Sequence, residues 1–95
     1  QFRNAMDESK LKLAVEKARL ASDLRANEFL AECFETLKKE YIDYWLITHI
    51  TDEKGRERLW QAVQIVGKVQ EHLGKLIDGG KLATQHLSSI KTMKR

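Results

Sequence analysis

Three histidines, one cysteine and a run of glutamates are the side chains of this sequence that could ligate a metal or act as nucleophile or base. Zinc peptidases carry HExxH and di-iron bundles carry Glu-x-x-His, because side chains one helical turn apart reach a common ion. His49, His72 and His86 fall in neither pattern, so no metal is expected. Cys33 falls on an apolar helical stripe, where a buried small hydrophobe is expected rather than a thiolate nucleophile. Glu28, Glu32 and Glu35 share helical spacing, but Arg25, Lys38 and Lys39 stand beside them, the composition of a solvated mixed-charge face. Asp78-Gly79-Gly80-Lys81-Leu82 invites comparison with a phosphate-binding loop. It fails, since Lys75 stands where that loop needs its first glycine and Leu82 where it needs a magnesium-binding hydroxyl. No serine has a nucleophile context, so neither catalysis nor a cofactor is expected.

Trp45, Trp60, Tyr41, Tyr44, Phe29 and Phe34 could stack on the bases of a single strand. Basic residues are not interleaved with them, and Asp43 is the one charge between Tyr41 and Trp45. Packing or interface roles suit them better, tryptophan and tyrosine being favoured interface anchors. Of seventeen basic residues, Lys81, Lys91, Lys94 and Arg95 lie after residue 80, where no acid occurs. The first eighty residues therefore hold thirteen basic against fourteen acidic side chains, a body close to neutral. Those four basic residues make nucleic acid the alternative partner, through phosphate contacts of the C-terminal end.

The elements that place these groups follow from a chain of 95 residues, 42% hydrophobic and 33% charged, the make-up of one small folded domain. No apolar run is long enough to cross a membrane, and a lone cysteine builds no internal disulfide. Packing must supply the stability, and at this size a partner subunit is expected. The chain opens on Gln1 rather than Met, which leaves room for native residues ahead of it.

Proline is absent and strand signals are missing, so the expectation is all-α. Residues 9–25 put Leu11, Ala14, Val15, Ala18 and Ala21 on one stripe, widened by Leu13, Leu20 and Leu24, with Ser9 or Asp7 as N-cap. The alanines would let another backbone come close. Asn27 caps a second helix over 28–48 whose seam is Leu30, Cys33, Phe34, Leu37, Tyr41, Tyr44 and Thr48. Its last turns are apolar nearly all round, so one partner helix would not cover them. A turn over 48–55, with Thr51 or Asp52 as cap, leads to a third helix over 53–78 that buries Leu59, Ala62, Val63, Val66, Val69, Leu73, Leu76 and Ile77. Gly79-Gly80 would stop it in a left-handed cap, followed by a short fourth helix over 81–90 and a frayed basic tail over 91–95. Folding the long helices back near residue 51 brings Trp45 to Trp60, Tyr41 to Val63 and Leu30 to Leu73, an antiparallel hairpin within a single domain over 1–90. On that arrangement Trp60 would be buried.

Gly67 and Gly74, seven residues apart and in line with Trp60, are costly inside a helix; they would either form a shallow groove for a neighbouring helix, of this chain or another subunit, or be exposed glycines that the helix simply tolerates. With Ile42, Tyr44 and Ile47 they are the expected interface residues.

The residues Asn27-Glu28-Phe29-Leu30-Ala31-Glu32-Cys33-Phe34-Glu35-Thr36-Leu37, then Tyr41 and Trp45, then Arg56-Glu57-Arg58-Leu59-Trp60-Gln61-Ala62-Val63, His72-Leu73 and Gly80-Lys81-Leu82-Ala83 complete the pattern. It resembles a group of short helical proteins of tailed bacteriophages and prophages. Cys33 stands where that group would have a small residue such as alanine. The resemblance implies virion assembly or genome packaging, by a homo-oligomer that docks on other phage proteins in the virion or host cytoplasm.

Overall fold

The computed structural model describes the backbone of residues 2–93 and the side chains of residues 8–93. Three helices account for nearly all of it, α1 (Phe2–Ala26), α2 (Glu28–Ile47) and α3 (Glu53–Met93), and no strand occurs among the described residues. None of the helices is long and apolar enough to cross a membrane.

Local chemistry sets the breaks. Asn27 leaves the helical region (φ −72°, ψ 110°), and its side chain accepts a hydrogen bond from the Leu30 amide at 2.9 Å, satisfying a donor that the first turn of α2 would leave orphaned. Asp52 does the same for α3, where its Oδ1 accepts from the Gly55 amide at 3.0 Å. Thr48 closes α2 by donating from its amide and its hydroxyl to the Tyr44 carbonyl, at 3.0 and 2.6 Å. Helix α1 starts seven residues earlier than the stripe over 9–25 suggests. Ser9 and Asp7 therefore lie inside α1 rather than ahead of its first turn.

The largest departure is at Gly79-Gly80. No glycine in the described chain has a positive φ, and α3 continues through both glycines to Met93. The expected stop at 78 and the separate fourth helix are replaced by one helix of 41 residues. Among its covered positions Leu59, Val63, Val66, Gln70, Leu73 and Ile77 alternate steps of three and four, the repeat of a coiled-coil seam, with Ala62 and Leu76 half-buried beside it.

Two compact units divide the chain, one of Arg25–Glu71 and one of Gln1–Leu24 with His72–Arg95. In the second, Ala21, Ile77 and Ala83 are buried, and Leu11, Ala14, Val15 and Ala18 are half-buried, so the expected α1 stripe is the one covered. Leu13, Leu20 and Leu24, expected to widen it, are each about half exposed. The reason for a glycine at position 80 lies here. A Cβ built on Gly80 would fall on the Ala18 Cβ, 3.4 Å from the Ala14 carbonyl oxygen. Gly80 is a packing residue that lets α3 touch the alanine face of α1, the close approach that the alanines foretell.

In the unit Arg25–Glu71 only Val66 is buried. Leu30, Phe34, Tyr41, Trp45 and Thr48 are half-buried and form the covered stripe of α2. Cys33, Tyr44, Leu37 and Val69, assigned to buried stripes by periodicity, are exposed, and so is Trp60 at 59%. A seam of period 3.5 hides fewer positions than a broad apolar face, and these five lie on its flanks.

Candidate interaction surface

The turn end of the unit Arg25–Glu71 is built around Arg56. Its guanidinium lies 3.9 Å from the centre of the Trp45 ring, and its Nη1 donates to the carbonyls of Thr48 at 3.1 Å and Trp45 at 3.4 Å. The last carbonyls of a helix lack intrahelical donors and carry partial negative charge, so a cation here satisfies both hydrogen bonding and the helix dipole. Stacking on an aromatic face adds a cation–π attraction. One side chain of α3 thus closes α2 and holds Trp45 in place. The connection is tightened by His49, whose Nδ1 accepts from the Thr51 amide at 3.2 Å and sits 2.6 Å from the Thr51 hydroxyl.

Beside this clasp, Ile42 and Trp45 of α2 with Leu59, Trp60, Val63 and Gln64 of α3 line an open groove of about 280 Å³. Trp45 and Trp60 border the same groove, but Trp60 is 59% exposed rather than buried in a core. No charged side chain lines it. A second depression, about 330 Å³, is bounded by Glu40, Asp43, Tyr44 and Ile47. The expected interface residues Ile42, Tyr44 and Ile47 are therefore all exposed but divide between two places, Ile42 with Trp60 and the other two with carboxylates. Gly67 belongs to the same unit, and an added Cβ there would meet nothing within 4 Å. Gly74 is half-buried in the other unit.

At the end of α2 Leu46 and Ile47 are 65% and 80% exposed, and Ile50 in the turn is 79% exposed. Arg56 was not foreseen as a clasp. Its signal was available, since a basic residue just past a short turn is placed to reach the carbonyls of the preceding helix.

Polar chemistry elsewhere is confined to the surface. Glu35 and Lys38 pair at 3.2 Å and Lys39 and Asp43 at 2.8 Å, the mixed-charge face expected of α2. Arg19 bridges Glu16 at 2.6 Å and Asp23 at 3.2 Å on α1. Its hydrogen bond holds the Glu16 carboxyl below the usual carboxylate range, and the hydrogen bond to Asp43 raises the Lys39 ammonium. Among the described residues no group of three or more histidines, cysteines or carboxylates gathers to hold a metal. Of the basic residues weighed for nucleic acid, Lys81 and Lys91 are exposed on α3 and, ten positions apart, point about 80° from one another around its axis. Lys94 and Arg95 lie outside the described residues.

Comparison with protein-family models, with curated proteins and with solved structures gives no match.

Proposed function

We propose that this chain is a helical protein–protein interaction module that acts as a homo-oligomeric structural or assembly component, in the phage setting its residue pattern implies. In this reading α2 and the first part of α3 form an antiparallel hairpin from the turn at Thr48–Asp52, with Tyr41 opposite Val63. The turn end is the working surface.

The observation that carries the reading is the exposure of large apolar side chains around one clasped end: Ile42 at 46%, Leu46 at 65%, Ile47 at 80%, Ile50 at 79% and Trp60 at 59%. Large apolar side chains left exposed on a built scaffold mark an interaction site.

Molar mass in solution across a concentration series tests the proposal. The expected result is a mass above 11.0 kDa that added short duplex DNA leaves unchanged. A strictly monomeric chain that also captures no other protein would refute it, and a DNA-dependent mass that collapses with salt would transfer the function to phosphate binding by the C-terminal end.

A further inference from the structure

Charge divides unevenly between the two compact units. The unit of Gln1–Leu24 and His72–Arg95 holds ten basic against five acidic residues and Arg25–Glu71 holds seven against nine, so +5 and −2 make up the net +3. In the basic unit a depression of about 190 Å³ runs along α1 and α3. Exposed Lys10, Lys17 and Lys75 line it around Leu13, Ala14, Leu76 and Gly79, and no carboxylate or aromatic ring does. None of these three lysines has a salt bridge among the described residues, so like charges surround an apolar floor with no anion to relieve them. The acidic unit carries the counterpart. On α2, Glu40, Asp43, Tyr44 and Ile47 follow the spacing i, i+3, i+4, i+7 and border one depression, with Tyr44 and Ile47 well exposed. Lys39 holds Asp43 at 2.8 Å, while Glu40 has no salt bridge. Lys10, Leu13, Ala14 and Lys17 repeat that spacing on α1 with the opposite charge.

We propose that copies of this chain join head to tail, with the Glu40, Asp43, Tyr44 and Ile47 face of α2 in one copy seated in the lysine-lined groove of α1 and α3 in the next. The contact rests on the self-association proposed above and names its two surfaces. A helix that shows apolar side chains beside carboxylates fits a groove that shows an apolar floor between lysines, the helix-in-groove mode with charge setting the choice of partner. Tyr44 and Ile47 cover the floor, and Glu40 enters the field of Lys10, Lys17 and Lys75. The opposite signs also disfavour the two like pairings, groove on groove and acidic face on acidic face. Because the two surfaces differ, the contact is heterologous, and copies add until a ring closes or a filament grows.

Sedimentation equilibrium of the full chain at low and high salt decides it. The wild type is expected to exceed 11.0 kDa at low salt and to fall toward it as salt screens the charge pairing. All the altered positions are exposed, so the variants keep the helical circular dichroism. Lys17→Glu with Lys75→Glu should weaken association about tenfold or more, and Glu40→Lys should do likewise, since each sets like charges against one another. A chain carrying all three substitutions has the charges exchanged and regains assembly at concentrations where the other variants are monomeric. Folded reversal variants that assemble as tightly as the wild type, or an oligomer indifferent to salt, overturn this contact while leaving self-association through another surface intact. Loss with the lysine variant alone, Glu40→Lys assembling normally, overturns the acidic face of a second copy as the occupant of the groove. A wild type that is monomeric at every salt concentration overturns both this contact and the self-association on which it rests.

Discussion

Gly79 and Gly80 are adjacent in one helix, yet their replacement by alanine should move stability in opposite directions. In a helix interior, alanine is favoured over glycine by about 0.8–1 kcal/mol through backbone entropy alone. At Gly79 that gain is unopposed, because an added Cβ meets nothing within 4 Å. At Gly80 the same methyl falls on the Ala18 Cβ and lies 3.4 Å from the Ala14 carbonyl oxygen and 3.6 Å from the Ala18 Cα. Neither neighbour is the mobile end of a long side chain, so relief requires the helices to part. Overpacking of this kind costs about 1–3 kcal/mol, which leaves Gly80→Ala between about neutral and 2 kcal/mol destabilising. Denaturation followed by circular dichroism reads the difference. Gly79→Ala should raise the midpoint by roughly 4–8 °C, and Gly80→Ala should leave it unchanged or lower it. Adding Ala18→Gly to Gly80→Ala removes the opposing methyl and should recover part of the loss, a coupling between residues far apart in sequence. Equal stabilisation by both single variants would refute the close approach of α1 and α3. A loss at both positions would instead restore the left-handed cap.

Three further outcomes follow from the contacts around the turns and on α1. Arg56→Ala removes two charge-assisted hydrogen bonds to α2 carbonyls and the stacking on Trp45, and should lower stability by about 1.5–3 kcal/mol in urea denaturation, with a changed tryptophan emission. Arg56→Lys, which keeps the charge but not the planar stack, should recover only part of this. Gly55→Ala drives a methyl into the Asp52 carboxylate that caps α3, so it should lose about 1 kcal/mol despite the better helix residue, and the loss should vanish in an Asp52→Ala background. The lowered Glu16 carboxyl means that its pairing with Arg19 contributes fully above the ordinary carboxylate range and is lost as the pH falls through the depressed folded value. In a proton-detected titration, Glu16 should therefore titrate at lower pH in the wild type than in Arg19→Gln.

Local chemistry was the legible part of this sequence. Asn27 and Asp52 announce their helices because a short polar side chain before an apolar run has one favourable use there. The alanine stripe of α1 is also plain, since small residues at helical spacing invite a close neighbour. The Gly79-Gly80 pair misled because glycine serves two ends: it tolerates a left-handed cap, and it clears space for another backbone. Only the position of Ala18 decides between them, and that is a tertiary fact. The placement of Trp60 failed for a related reason. Folding about residue 51 fixes the height of each residue along the helices and leaves its azimuth open, and the apolar residues at this end surround the axis. Trp45 and Trp60 line one groove, whereas azimuth puts Cys33, Leu37 and Val69 on the exposed flanks.

The two compact units are nested along the chain like inner and outer parentheses. Arg25–Glu71 is continuous, while the other needs Gln1–Leu24 and His72–Arg95 together. A chain emerging from the ribosome can therefore complete the inner pair while its first helix still waits for a partner that has not been made. Once the inner pair closes, the outer one no longer has to bridge a free loop of 47 residues, and the entropy of bringing its ends together falls accordingly. Synthesis order and contact order agree in this topology. A transcript cut short near residue 71 loses the whole outer unit and keeps the clasped end.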